Sequence, residues 1–299
     1  LPRSNQEVQQ YLQYISEHSL DYFILGAGSN SLVSDENWPH AVICLDQLNW
    51  IYREGSKITC GAGIKNSHAA TFALKEELEG CSWLYGLPGL MGGTVRMNAR
   101  CYGGEISQIA DEITCISSTS QKIRYKNEIH DKKCFKGYKD TIFMRNRNII
   151  TEVVLQLSKG DQTKIKEQMK HCYNDREKKG QFEFPSCGCV FKNNYKLGVP
   201  SGMLIDACKL KGKNHGGAQV HSKHGNFIIN RDKASSRDIL ELSFIMRERV
   251  LDMFGVWLEY EMEILGNLPI DLQTKMQNKI EDNYNEKNLD KIRKNFTSH

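Results

Sequence analysis

The chain reads as an α+β protein rather than a doubly wound α/β one. Residues 41–63 alternate apolar and polar side chains through AVICLDQL and NWIYREGSKITCGAG, with Glu54-Gly55-Ser56 as a hairpin turn. A second strand pair is expected at Ile113–Ser117 and Gln121–Tyr125, turning at Ser118-Thr119-Ser120. Short helices are mixed among these hairpins, where a doubly wound sheet would alternate strand and helix throughout.

Taken in order, Glu7, Val8, Tyr11, Leu12 and Ile15 recur at helical spacing and predict an amphipathic first helix. Tyr22-Phe23-Ile24-Leu25 is a short buried strand that runs into the turn Gly26-Ala27-Gly28-Ser29-Asn30-Ser31. Strand, glycine turn, strand suits a phosphate cradle. It is not a dinucleotide fingerprint, because Ser31 stands at the third glycine position and no long helix follows, and no Gly-Lys-Ser/Thr makes it a Walker loop. Ser67–Glu79 predicts a helix that delivers the chain to CSWLYGLPGLMGGTVRMNARCYGGE, residues 81–105. There Gly86, Gly89, Gly92, Gly93, Gly103 and Gly104 come in short sets around Leu87, Leu90, Met91 and Val95. Glycine lets a backbone turn through positive φ or approach a ligand with no Cβ in the way, so this is read as a buried loop whose amides face a bound group. Asn98 and Tyr102 are candidate hydrogen-bonding side chains at its rim. A turn-rich linker is the plainer alternative.

A polar break at Ser158-Lys159-Gly160-Asp161 is the expected domain boundary, followed by a charged helix over Thr163–Lys179 with Ile165, Met169, Cys172 and Tyr173 on one face. The second domain is read as a strand in PSCGCVFKN, a helix near Gly202–Lys209, a strand at Asn226–Asn230 and a long helix over Ser235–Phe254. That helix has Ser235 or Ser236 as N-cap, a stripe of Ile239, Leu242, Ile245, Met246, Val250 and Met253, and Gly255 as its stop. The domains expected are therefore 1–157 and 158–266, with a charged tail over 267–299. The tail reads as a short helix docked by Leu272, Met276 and Ile280, or as solvated chain.

At 299 residues there is length for two domains with proper cores. A formal net charge of +4 is too small and too dispersed for a nucleic-acid protein, yet it would not repel an anionic substrate. No apolar run is long enough to span a bilayer and no signal segment opens the chain, so a cytoplasmic protein is expected. The ten cysteines are scattered, with no CxxC pair and no histidine at zinc spacing, so buried thiols are expected and no metal. Cys187-Gly188-Cys189 is the one close pair.

LGAGSNSLVSD (residues 25–35) followed by GLPGLMGGTVRMNARCYGGE (residues 86–105) resembles the UDP-N-acetylenolpyruvoylglucosamine reductases, flavoenzymes of peptidoglycan precursor synthesis. Their patterns run LGxGSNxLVxD and GxPGxxGGxxxMNAGxYGxE. The resemblance covers roughly residues 1–266 and continues in order through YKDTIF, IITEVVLQL, PSCGCVFKN, GMLIDACKLKG, GGAQVHSKHGNFIIN and LEYEMEILG. It implies a FAD-binding domain of the p-cresol methylhydroxylase and vanillyl-alcohol oxidase type, then a smaller α+β substrate-binding domain. It also implies FAD and NADPH as cofactors and a UDP-sugar enolpyruvyl ether as substrate; a monomer is expected, with no nucleic-acid or membrane partner. Leu1 is not a methionine, and the resemblance implies an opening segment ahead of it.

Carried onto this sequence, the resemblance implies that Gly26, Ala27, Gly28, Ser29, Asn30, Gly86, Pro88, Gly89, Gly92, Gly93, Asn98, Tyr102 and Gly103 hold the flavin. The reaction delivers hydride to one alkene carbon of the enolpyruvyl ether and leaves an enolate-like carbanion beside a carboxylate. It needs a cation, a carboxylic group and a short proton donor. The donor position is serine in the family and Cys189 here; a thiol is the stronger acid, but a thiolate has no proton to give, so the rate is expected to fall as pH rises. An inert buried cysteine is the alternative. The family's arginine is Lys139 here, which keeps the charge and loses the planar fork; Arg145 and Arg147 are nearby guanidinium groups, and a surface lysine is the alternative.

The carboxylic group maps to Glu261. Alternation puts Glu259, Glu261 and Glu263 on one strand face, and only the motif register selects among them. Lys192, Asn193 and Lys211 are the implied contacts to the sugar diphosphate. His224 and Asn226 could be ligand contacts or structural hydrogen bonds. Arg100 stands where the family has glycine, and could crowd the flavin or point outward to a phosphate. Beside a working reductase stand two other readings, a flavin-binding homologue that serves as a binding protein and an oxidase with covalent flavin.

Overall fold

The computed structural model describes residues 1–126 and 134–297. The chain forms two compact units, one of Leu1–Ala27 and Pro39–Asp175, the other of Gly28–Trp38 and Arg176–His299.

In the first unit the hairpin predicted at residues 54–56 forms: Glu54 pairs with Lys57, leaving Gly55-Ser56 as a two-residue turn with Gly55 at φ +61°. The resulting sheet is antiparallel throughout. Its order is Lys122–Lys126, Ala110–Ile116, Ile149–Gln156, Lys57–Gly61 and Ile51–Glu54. Alternation sends Ile58, Cys60, Ile113, Cys115, Val153 and Leu155 into a fully buried core. Each of the isoleucine, valine and leucine side chains contributes about 1.5–3 kcal/mol by leaving water. The outer strand Lys122–Lys126 places Lys122, Arg124 and Lys126 on its exposed face, a charged edge that discourages pairing with another chain. A separate parallel pair joins Tyr22–Leu25 to Ala41–Cys44.

The first helix, Asn5–Glu17, starts where the Ser4 side chain accepts from the Glu7 N–H, and it buries Val8, Leu12 and Ile15. The predicted helix at Ser67–Glu79 is shorter, Asn66–Lys75. The chain turns left-handed at Glu77 (φ +55°), and Leu78–Glu79 becomes a strand. Its partner is Ser158–Lys159, so the polar stretch read as a domain break is a strand of the first unit. The helix Gln162–Lys178 then buries Ile165, Met169 and Cys172 in the first core. The division between units therefore falls at Asp175/Arg176, inside a continuous helix, and not at residue 157.

The second unit is built on the antiparallel order Ser186–Cys189, Phe227–Asn230, Ala218–Val220 and Asn214–His215. The helix Ser236–Phe254 has a full capping box between Ser235 and Asp238 and ends at left-handed Gly255 (φ +65°). Burial raises the Asp238 carboxyl, but hydrogen bonds from Ser235 and Gly217 outweigh it and hold the group below the usual carboxylate range. The buried stripe is Leu240, Leu242, Phe244, Met246, Val250 and Phe254, rotated from the predicted one, so Ile239, Ile245 and Met253 are half-buried. Arg247 is buried on the same face, its guanidinium 4.0 Å from the Trp257 ring centroid and 4.7 Å from that of Tyr260.

The segment after Gly266 is folded. Helices Ile270–Gln277 and Glu286–Thr297 insert Leu272 and Leu289, both fully buried, into the second core, while Ile280 is exposed. Of the predicted tail, residues 298 and 299 lie outside the described residues. Among the described residues no helix is long and apolar enough to cross a membrane, and no group of three or more His, Cys, Asp or Glu could hold a metal ion.

Candidate functional site

The glycine-rich stretch 81–105 is built against the loop that follows the strand Lys57–Gly61. The Met91 N–H donates to the Ile64 carbonyl (2.9 Å) and the Gly92 N–H to the Ala62 carbonyl (2.8 Å), while the Gly89 carbonyl accepts from the Asn66 N–H (3.2 Å). A Cβ on Gly92 would lie 2.9 Å from the Ala62 Cβ, so this approach needs glycine. The helix Met91–Arg96 follows, then the hairpin Arg100–Cys101 with Gly104–Glu105. Its two-residue turn has both Tyr102 (φ +51°) and Gly103 (φ +79°) left-handed, the geometry a twisted hairpin favours.

Buried Asn98 (φ +41°) follows that helix. Its Nδ2 donates to Glu105 Oε1 (2.7 Å) and the Gly137 carbonyl (2.9 Å), and its buried Oδ1 accepts no hydrogen bond among the described residues. An unsatisfied buried acceptor costs about 1–3 kcal/mol, and the N–H and O–H groups of a flavin nucleotide could satisfy it. Gly26, Gly93 and Gly103 have open space where a Cβ would stand, and Gly26, Gly93 and Gly103 are exposed. Gly28, at φ +68°, is also open on its Cβ side. The residues fit a flavin nucleotide on these grounds. Pro88 is exposed, Gly86 is buried and Gly89 has φ +130°. The Tyr102 hydroxyl donates to Asp175 (2.8 Å), so this predicted rim residue is tied to the helix Gln162–Lys178.

Arg100 does not reach outward. Its guanidinium lies 4.4 Å from the Tyr138 ring centroid and 3.5 Å from Glu105 Oε2, its partner across the hairpin. The sequence held the signal for this pair: Tyr102-Gly103 as a two-residue turn sets Arg100 opposite Glu105. Its stacking on Tyr138 had no local signal.

Tyr138-Lys139 is itself a hairpin turn between Phe135–Gly137 and Asp140–Thr141. Lys139 is half-buried with φ +52°, a conformation that an L-residue holds at a cost of about 1–3 kcal/mol and that clusters at functional positions. Its Nζ lies 5.9 Å from the Tyr138 ring centroid. Of the neighbouring guanidinium groups, Arg145 pairs with Asp140 (2.6 Å) and Arg147 with Asp21 (3.9 Å), and both are largely exposed.

Cys189 and Glu261 lie in the second unit. The strand Ser186–Cys189 shifts register at Gly188, which has φ +74° and whose Cβ would stand 3.2 Å from the Ser29 carbonyl. The Val190 carbonyl accepts from the Glu261 N–H (2.8 Å), and Asn30 Nδ2 donates to the Glu261 carbonyl (2.9 Å). Ser29-Asn30, Cys189-Val190 and Glu261 therefore converge within one unit, from three distant parts of the sequence. The predicted strand at residues 258–266 is only partly formed. Tyr260 bridges Phe191, Glu263–Leu265 pairs with Ser31–Val33, and Glu259 is exposed beside Lys192 (3.5 Å).

Asn226 is structural: its Oδ1 accepts from the Phe191 N–H (3.0 Å) and its Nδ2 donates to the Phe191 carbonyl (2.8 Å). His224 Nδ1 is buried and makes no hydrogen bond among the described residues; burial, with Lys179 and His221 nearby, pushes its pKa down to about 4. Asn193 Oδ1 accepts from the Ser201 N–H (2.9 Å), and Lys211 pairs with Asp206 (2.7 Å). All ten cysteines are thiols. Burial pushes Cys187 up to about 11, beside Met262 (3.5 Å), and Cys81 up to about 12, which keeps both protonated and inert.

Residues 1–120 match the FAD binding domain model, so the chain is a flavin-domain protein with a second α+β unit. Residues 180–265 match the model of the UDP-N-acetylenolpyruvoylglucosamine reductase C-terminal domain. UDP-N-acetylenolpyruvoylglucosamine reductases of Clostridium novyi and Borrelia garinii subsp. bavariensis are 36% identical over 265 residues and 38% identical over 267 residues, each alignment covering 89% of this chain and 84% and 86% of theirs. The crystal structure of the reductase from Thermus caldophilus is similar with a TM-score of 0.73 at 30% identity, covering 88% of this chain and 90% of that one. The chain belongs to the UDP-N-acetylenolpyruvoylglucosamine reductase family, whose members are FAD-dependent oxidoreductases.

Proposed function

We propose that this protein reduces UDP-N-acetylglucosamine enolpyruvate to UDP-N-acetylmuramate, with NADPH as reductant, in peptidoglycan precursor synthesis. The observation that carries the reading is the convergence of the Ser29-Asn30 turn, Cys189-Val190 and Glu261 in one hydrogen-bonded corner. Such a corner unites a cofactor turn, a proton donor and a carboxylic group. The Gly26–Asn30 turn, Gly86, Pro88, Gly89, Gly92, Gly93, Asn98, Tyr102 and Gly103 would hold FAD, which would supply the hydride, taken from NADPH, for the terminal alkene carbon of the substrate.

The protein's own groups handle the charge that this leaves. The Lys139 ammonium holds the substrate carboxylate, against which negative charge develops. Glu261 shares that stabilisation, braced at both its N–H and its carbonyl. The Cys189 thiol gives its proton to the carbon next to the carboxylate, and its chain direction is set by the left-handed Gly188. Lys192, Asn193 and Lys211 bind the diphosphate, with Lys192 and Lys211 exchanging Glu259 and Asp206 for phosphate oxygens. The protein works in the cytoplasm as a monomer, where its nucleotide substrates are found.

The test is incubation of flavin-loaded protein with NADPH and UDP-N-acetylglucosamine enolpyruvate in deuterium oxide, followed by mass spectrometry. The expected product is the saturated ether with a solvent deuteron at the carbon beside the carboxylate, whatever label the flavin-borne hydride brings to the terminal carbon. Bound flavin without substrate-dependent NADPH consumption would sink the reading.

A further inference from the structure

The segment Asn267–Thr297 lies beyond the residues that match the family's C-terminal domain, yet it is bound tightly to the second unit. Besides burying Leu272 and Leu289, it accepts Arg247 Nη2 on the Lys275 carbonyl (2.9 Å) and pairs Asp271 with Arg237 (2.7 Å). The Asn283 N–H donates to the Gly255 carbonyl (2.8 Å). It forms a strap, and the strap's far end reaches the loop that carries the diphosphate-binding residues.

That loop leaves Lys192-Asn193, makes a tight turn over Tyr195–Leu197, passes left-handed Gly198 and enters the helix Ser201–Ala207. Its two ends are closed on Ser201, whose Oγ donates to the Lys192 carbonyl (2.5 Å) and whose N–H donates to Asn193 Oδ1 (2.9 Å). Its middle is held by the strap. Arg293 Nε donates to the Leu197 carbonyl (2.9 Å), while Glu286 (2.7 Å) and Asp290 (2.8 Å) fix the same guanidinium. The Tyr284 hydroxyl, which donates to Asp282 (2.8 Å), is close enough to the Asn194 side chain to interact with it. Leu197 packs in the same core as Leu289.

We propose that Arg293, seconded by Tyr284, is a positioning residue for substrate binding: the strap fixes the Asn194–Pro200 loop and so sets Lys192 and Asn193 for the diphosphate. This rests on the substrate role given to those two residues above. A loop that is only fractionally in its binding-competent shape raises KM in proportion, because the apparent affinity is divided by that fraction. The reacting carbon is not touched, so kcat at saturation stays as it is.

The experiment is steady-state kinetics of the flavin-loaded full chain for UDP-N-acetylglucosamine enolpyruvate, with Tm measured beside it, in five variants. Arg293→Ala is expected to raise KM about five- to tenfold, with kcat within about twofold, and Tyr284→Phe to raise it about two- to threefold. Asp271→Asn, at the strap's other end, should lower Tm and leave KM alone. Asn193→Ala should raise KM, and adding Arg293→Ala to it should raise KM by a smaller factor than Arg293→Ala does alone, because Arg293 acts in part through that residue. An unchanged KM in Arg293→Ala beside a raised one in Asn193→Ala overturns the positioning role alone. Equal rises in Arg293→Ala and Asp271→Asn overturn it too, since the effect would then be loss of stability. An unchanged KM in Asn193→Ala removes the substrate role of Asn193 and the inference with it.

Discussion

Lys139 and Cys189 are the two proposed reacting groups that differ from the family's motifs, and the protein holds them in different ways. Lys139 occupies the tip of a two-residue hairpin in the first unit, with a strained left-handed backbone and a flexible four-carbon stem. Cys189 lies in a corner of the second unit laced by short backbone bonds, where Asn226 clamps Phe191 from both sides and Val190 receives Glu261. A proton donor must sit within hydrogen-bond reach of one carbon, so it gains from a rigid frame. A point charge that steadies a carboxylate tolerates looser support.

Breaking the looser side should have a large effect on turnover. Lys139→Ala is expected to lower kcat about a hundredfold or more, as for loss of a group that stabilises developing charge. Lys139→Arg should retain or raise activity, and a loss as large as that of Lys139→Ala would show that the hairpin, and not the charge, matters. On the rigid side, Asn226→Ala leaves the buried Phe191 N–H and carbonyl without partners and should cost about 2–4 kcal/mol in urea unfolding. Cys189→Ser sharpens the contrast. It should keep turnover while removing the fall in rate at alkaline pH, seen in a pH–rate profile. Arg100→Gly, which loses the stack on Tyr138, should cost about 0.5–1 kcal/mol by the same unfolding assay.

A pH-dependent effect concerns His224. Its folded pKa of about 4 is below the unfolded value, so the unfolded chain takes up a proton first as pH falls. Stability therefore drops from about pH 6.5 toward 4, and the Tm of His224→Asn should fall less over that window.

Local signals carried much of this architecture. The Gly55 hairpin, the Ser235 cap, the Gly255 stop and the close approach at Gly92 each follow from a few neighbouring residues whose conformations have one physical solution. Long-range partnerships were not legible. Nothing near Ser158 says that it pairs with Glu79, nothing near Tyr102 says that Asp175 accepts its hydroxyl, and the polar composition of residues 267–297 hides two fully buried leucines. The buried stripe of the helix Ser236–Phe254 differs from the one that apolar spacing predicts, because Arg247 is buried by stacking on rings that arrive from residues 257 and 260. The corner at Cys189 was legible in its residue types but not in its frame, since Asn30, Val190 and Glu261 meet only in the folded chain.

The most direct test is substrate-dependent NADPH consumption by flavin-loaded wild type and Cys189→Ala, with reduction of the bound flavin by NADPH followed in parallel. Both proteins should reduce flavin at the same rate, while consumption driven by UDP-N-acetylglucosamine enolpyruvate falls about a hundredfold to ten-thousandfold in the variant. Equal turnover of the two proteins would contradict the assignment of Cys189 as the proton donor.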